Sequence, residues 1–223
     1  MKICHYDLSK PFDITSGVGV LVVENASRFV RYCNDFLAQQ NGEDGDFIID
    51  DGEKAFSFKK SGCIIFDYFG MSLGDKKILS GLYEQIKSVI DEAYLQEYYD
   101  LISRMSGFCD LISVELPLEV EHNADLSVQD FLKTMKVKPV EHKKSFAESI
   151  VDCLDAQAKF VGTKLFVLVN LRSFLDNEEY SLLVSHFNYA PYSVLLLERA
   201  QCSRAKNEPM LIIDNDLCEI VVE

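Results

Sequence analysis

Apolar residues fall along this chain in two rhythms, short unbroken runs and stripes at helical spacing. Gly17-Val18-Gly19-Val20-Leu21-Val22-Val23 is short, apolar and β-branched, which predicts a strand. Phe29, Val30, Cys33, Phe36 and Leu37 then repeat as one face of a helix entered near Asn25 or Ser27 and stopped by Asn41-Gly42. Phe47–Ile49 and Ala55–Phe58 flank Asp50-Asp51-Gly52-Glu53, a hairpin signal. Cys63-Ile64-Ile65-Phe66 is apolar throughout, as a strand covered on both faces should be.

From Asp75 the rhythm lengthens. Ile78, Leu79, Leu82, Tyr83, Ile86, Val89, Ile90 and Ala93 form a stripe that Leu95, Tyr98, Tyr99, Ile102 and Met105 continue. It predicts roughly 30 residues of helix, broken once at most, serving core packing or oligomer contact. Val114 to Glu121 alternates strictly, with Val114, Leu116, Leu118 and Val120 on one side and Glu115, Glu119 and Glu121 on the other. Pro117 makes this stretch an edge or an unpaired segment. Ser127 and Asp130 stand at capping-box spacing before a short helix.

Shorter rhythms then return. Ser145 to Phe160 reads as a helix, Leu165 to Leu171 as a central parallel strand, and Asp176 with Glu179 as a helix cap. Ser193–Leu197, Met210–Ile213 and Ile220–Val222 read as further strands. The expected fold is therefore α/β, a head with a mostly parallel sheet and an inserted α-helical leg. The head covers residues 1–71 and 140–223, and the leg 72–139.

Composition narrows the class. At 48% hydrophobic residues over 223 positions, a substantial core can form. No 18-residue apolar window exists and Met1–Lys10 has no signal-peptide core, so a cytoplasmic protein without membrane contact is expected. The seven cysteines form no C-x-x-C pair, and the four histidines show no local ligand spacing.

The strand–glycine–helix passage from Cys63 to Lys77 has the placement of a phosphate-binding loop, with Gly70 and Gly74 between strand and helix. Its chemistry is wrong. The glycines are one residue too close, Asp75 opposes phosphate, and no Ser or Thr follows Lys76 or Lys77. The strand Val167-Leu168-Val169 ends in Asn170, where a magnesium-holding acid would be needed. A degenerate P-loop-NTPase-like head follows, and the chain is expected not to be an enzyme. A P-loop-type nucleotide switch or ATPase remains the alternative.

Net charge is −14, from 22 basic and 36 acidic residues. That excess opposes simple nucleic-acid binding, but the charge is uneven. Glu115, Glu119, Glu121, Asp125 and Asp130 crowd hard oxygen donors suited to calcium, or make a solvated acidic face. Residues 133–144 carry five lysines against one glutamate: Lys133, Lys136, Lys138, Lys143 and Lys144. Lys54, Lys59 and Lys60 form a smaller run. Lysine without arginine suits sequence-independent phosphate contact, or an ordinary solvated face.

The chain resembles the Csn family of type II-A CRISPR systems, which acts in acquiring new spacers. The likeness lies in Gly19–Asn25, Lys164–Leu171, Val194–Arg199 and Leu211–Asp216, in their order and spacing, and in the total length. The resemblance implies a non-enzymatic, calcium-dependent homotetrameric ring that encloses linear double-stranded DNA in a lysine-lined hole without sequence preference. It implies partnership with the CRISPR integrase proteins and the type II effector nuclease. It implies Ca2+ on Glu115, Glu119, Glu121, Asp125 and Asp130, where His122-Asn123-Ala124 interrupts an acidic run that is denser elsewhere in the family. It implies DNA contact by Lys133, Lys136, Lys138, Lys143 and Lys144, which follow that stretch, and the smaller basic run adds Lys59 and Lys60 to the expected DNA contacts.

Overall fold

A computed structural model describes residues 1–14, 17–52, 56–123, 125–142, 144–201 and 208–222. In chain order the elements are β1 (Lys2–Cys4), β2 (Phe12–Asp13), β3 (Val18–Val23), α1 (Ala26–Asn41), β4 (Ile48–Asp50), α2 (Phe58–Ser61), β5 (Gly62–Ile65), α3 (Lys76–Val89), a π-helical turn (Ile90–Tyr94), α4 (Leu95–Ser113), α5 (Val128–Thr134), α6 (Phe146–Val161), β6 (Leu165–Val169), a 3-10 turn (Leu171–Phe174), α7 (Asn177–Phe187), β7 (Ser193–Glu198), β8 (Met210–Ile213) and β9 (Glu219–Val222). They divide into two compact units, Met1–Ser72 with Lys143–Glu223, and Leu73–His142.

The first unit is built on a six-stranded sheet in the order β5-β6-β7-β3-β8-β9. Every pairing in it is parallel except β8 with β9. The continuous apolar strands follow from burial on both faces. Leu21, Val23, Leu165, Val167, Leu195 and Leu197 point to one side, into a core shared with Phe29, Tyr32, Cys33 and Phe36 of α1. Val20, Val22, Phe166, Leu168, Val194 and Leu196 point to the other, against Ile150 and Leu154 of α6 and Leu183, Val184 and Phe187 of α7. The three long helices of this unit, α1, α6 and α7, are each fixed at the start by a side chain. Asn25 Oδ1 accepts from the Arg28 amide, and Ser145 with Glu148 and Asp176 with Glu179 form reciprocal capping boxes. Gly42, at φ 87°, closes α1 in the left-handed conformation that favours glycine.

A second, antiparallel sheet, β2-β1-β4, covers the α1 side of the core. It replaces the expected hairpin. Ile48–Asp50 pairs with Lys2–Cys4, and Phe58 opens the short helix α2 instead of closing a second arm. In the first part of the expected turn Asp50 Oδ1 accepts from the Gly52 amide at 2.8 Å, and Glu53 lies outside the described residues. Ala55, where the expected second arm begins, lies outside the described residues; at the arm's other end the buried Phe58 packs its ring 5.2 Å from that of Phe36. The expected α1 face also shifts: Val30 and Leu37 are exposed, and Tyr32 takes the buried place between Phe29 and Phe36.

In the second unit, α3, the π-helical turn and α4 run on as one helical stretch from Lys76 to Ser113. A small core of Tyr83, Tyr98, Ile102, Val128 and Leu132 ties α3 and α4 to α5. The phenol groups anchor it: Tyr98 donates to the Leu126 carbonyl at 2.6 Å and Tyr83 to the Val137 carbonyl at 2.8 Å. The alternating segment after α4 is not a strand. Among the described residues it pairs with no sheet, and Val114, Leu116, Leu118 and Val120 are all exposed. Alternation needs a neighbouring strand to bury one side, and here only turns follow, with Glu115 bonded back to Ile112 at 3.0 Å. No described helix is long and apolar enough to cross a membrane.

Candidate functional site

The acidic stretch begins where α4 ends. Glu115, Glu119, Glu121 and Asp125 are all exposed. Two local contacts shape the segment. His122 Nε2 lies 2.8 Å from Asp110 Oδ1 on α4, and the Asp125 amide donates to Asn123 Oδ1 at 3.0 Å. Among the described residues, these carboxylates do not gather into a trio of ligand atoms within 4.8 Å of one another. Asp130 stands apart in chemistry. Its carboxylate accepts from the Ser127 hydroxyl at 2.6 Å and from Lys133 Nζ at 3.3 Å, and its amide donates to the oxygen of Ser127, the residue that caps α5. Those hydrogen bonds, the one from Ser127 first, hold its carboxyl below the usual range.

The lysines divide between the two units. Lys133, Lys136 and Lys138 are exposed at and after the end of α5. Lys136 takes a left-handed conformation, φ 51°, while the Val137 amide bonds back to Leu132 at 3.0 Å and closes the helix. Lys144 precedes α6, and its Nζ reaches Asp152 Oδ2 at 2.6 Å, a hydrogen bond that raises the lysine pKa. Lys59 and Lys60 are exposed on α2, with the Lys59 stem lying against Gly42. Lys143 and Lys54 fall outside the described residues.

At the glycines, the amides that would wrap a phosphate are already occupied. Asp67 Oδ1 accepts from the amides of Phe69 and Gly70, each at 3.0 Å. In the second unit, Asp75 caps α3 by accepting from Lys77 at 2.8 Å. A carboxylate holding those donors brings negative charge where a phosphate needs positive.

The carboxyl ends of β6 and β7 surround a cavity of about 570 Å³ lined by Asn170, Arg172, Phe174, Glu198 and Arg199. Asn170 is left-handed at φ 53°, and its Oδ1 accepts from the Arg199 amide at 2.9 Å. The strand-ending amide is therefore a structural brace between two strand ends. Sequence reasoning passed over Glu198, the acid that ends the next apolar strand. It is 3% exposed, and burial pushes its carboxyl up to about 7, the charge of buried Glu208 adding to the effect. The readable signal was an acidic residue closing the run Val194–Leu197.

The fold and these sites define a mixed α/β protein with a helical unit whose exposed carboxylates and lysines follow one another along the chain. A family model described as CRISPR-associated protein (Cas_Csn2) matches residues 39–217. The chain belongs to this Csn2 family of CRISPR-associated proteins. No curated protein matches it in sequence.

Proposed function

We propose that this chain is a non-enzymatic spacer-acquisition protein of a type II-A CRISPR system. It works in the cytoplasm as a calcium-dependent homotetrameric ring that holds linear double-stranded DNA without sequence preference. Its partners are the CRISPR integrase proteins and the type II effector nuclease. The observation that carries this reading is the family match over residues 39–217. The P-loop-like ancestry of the sheet unit belongs to the same reading. The occupied amides at Gly70 and the bracing role of Asn170 weigh against the alternative of a nucleotide switch or ATPase.

Three features support the proposed roles. Exposed lysines at 59, 60, 133, 136, 138 and 144 offer point charges suited to phosphate rather than to base edges. Repeating a modest cluster in four copies around one hole concentrates its field, although the chain as a whole is acidic. The helical unit exposes apolar side chains, including Leu101, Phe108 and Leu111 on α4, a surface suited to contact between copies.

The carboxylates of Glu115, Glu119, Glu121 and Asp125 are the donor type that calcium prefers. Calcium takes about six to eight oxygens, and these side chains are exposed and ungathered within one chain. Water or a second copy would complete the shell, which would make assembly and metal binding one event. Asp130, engaged by Ser127 and Lys133, contributes least.

A gel shift tests the reading, comparing linear duplex with closed circles of the same sequence, with calcium and with chelator. Binding only to linear DNA and only with calcium is expected. Lys133→Glu with Lys136→Glu and Lys144→Glu should abolish the shift. Equal binding to both topologies would refute enclosure, and a retained shift in the triple variant would place the contact elsewhere.

A further inference from the structure

The fold brings one histidine, absent from any local motif, to two carboxylates. His5 follows β1, Asp35 lies on α1, and Asp46 precedes β4. One ligand atom from each lies within 4.8 Å of the others. His5 is 4% exposed, its ring centroid 4.5 Å from that of Tyr6 and 4.6 Å from that of Phe47. Asp35 is half-buried and Asp46 is exposed, so the cluster opens to solvent on the Asp46 side.

The hydrogen-bond arrangement there is incomplete. His5 Nδ1 accepts from the Asp7 amide at 3.1 Å, which leaves the ring hydrogen on Nε2. Among the described residues, Nε2 has no hydrogen-bond partner, and neither does the buried Asp35 Oδ2 that it faces. They stand 3.6 Å apart, too far for a good hydrogen bond. Buried polar atoms are costly when unsatisfied, so two facing each other across such a gap call for an occupant. Zinc bonds of about 2.0–2.2 Å to nitrogen and oxygen at a tetrahedral angle put those two atoms about 3.4 Å apart. The observed gap is within a few tenths of an ångström of that edge.

We propose that His5, Asp35 and Asp46 form a site for a zinc-class divalent ion, with a coordination position left to water. The imidazole decides the class: calcium and magnesium favour all-oxygen shells, whereas nitrogen with carboxylate suits zinc and its neighbours. Two carboxylates balance the charge of the dication. Metal on Nε2 moves the ring hydrogen to Nδ1, which faces Asp7 Oδ2 at 3.5 Å. The Asp7 carboxylate, ion-paired with Arg28 and Arg31, then orients the ligand as carboxylates do for zinc-bound histidines. The Asp7 amide gives way in that exchange. A metal there would clip β1 and the approach to β4 onto α1.

Equilibrium dialysis of the full chain against zinc, followed by metal analysis, tests this, with cobalt as the spectroscopic probe of geometry. One equivalent of zinc is expected, retained against excess calcium, with a tetrahedral cobalt spectrum. Asp46→Asn, at an exposed position, should weaken zinc binding at least ~10-fold with an unchanged circular dichroism spectrum. Glu119→Gln should leave zinc binding unchanged, which separates this site from the calcium reading. His5→Gln should abolish binding, and if it does not fold, Asp46→Asn carries the decision. No bound zinc, displacement by calcium, or wild-type affinity in Asp46→Asn would each overturn the site. A negative gel shift has no bearing on it.

Discussion

Glu198 makes a sharp test of how the sheet unit is held together. Its carboxyl is 3% exposed at the end of β7, accepts from the Arg172 amide at 3.0 Å, and is pushed from 4.5 up to about 7, chiefly by burial. A folded-state pKa above the unfolded one means the native protein holds the proton more tightly. Between those two values the folded chain binds more protons than the unfolded chain, so stability falls as pH rises. The contribution is intact below pH 4.5 and is lost by about pH 7. Each pH unit across that window is worth about 1.4 kcal/mol, which makes the loss about 3 kcal/mol. Glu198→Gln keeps an oxygen for the Arg172 amide and removes the ionisation. Urea unfolding from about pH 4.5 to about pH 8 should therefore show wild type losing about 3 kcal/mol relative to the variant. The comparison matters because paired surface carboxylates stabilise in the opposite direction and act on both proteins alike. Parallel pH profiles for wild type and Glu198→Gln would refute the argument.

Two further outcomes follow from packing and capping. A Cβ on Gly19 would stand 2.3 Å from Ile14 Cγ2 and 2.9 Å from Phe12 Cε1, so Gly19→Ala should lower the urea midpoint by an equivalent of ~1–3 kcal/mol; an unchanged midpoint would mean that the β2 side does not press on β3. Asp176 accepts from the amides of Glu178 and Glu179 at 2.8 and 2.9 Å, so Asp176→Ala should cost about 1 kcal/mol in thermal unfolding and Asp176→Ser should recover most of it, whereas equal melting of both variants would remove the cap from the account.

The parts of the fold that are legible in sequence are those whose pattern is set locally. A strand buried on both faces must be apolar at every position, so β3, β6, β7 and β8 announce themselves as runs. The Asp176–Glu179 cap is likewise a short-range signal with a fixed spacing. What could not be read depends on distant partners. β1 and β2 are too short to carry a period, and β4 finds β1 rather than the arm its turn suggests. The alternation from Val114 to Glu121 could not tell an edge strand from an unpaired segment; it is unpaired, because a side chain is buried only when another strand arrives. Tyr32 is the counter-example within a helix, since its phenol hid a ring that packs 5.0 Å from Phe47. At the sites, sequence located the charged stretches and could not tell which charges are engaged. His5 shows the same limit, because its neighbours come from a helix and a turn far along the chain.

That difference between charge present and charge available bears on the DNA reading. Lys133 and Lys144 each meet an aspartate in the isolated chain, Asp130 and Asp152. Exposed pairs of this kind are worth only about 0–1 kcal/mol and weaken in salt, so they do not withhold the lysines from a phosphate backbone. They do set a threshold. A single lysine offered to DNA returns little beyond the pair it breaks, whereas several offered together release several counterions at once. Binding should then be negligible for one chain and steep in the number of copies. A protein whose net charge is −14 needs that property if it is to take hold of DNA only when assembled.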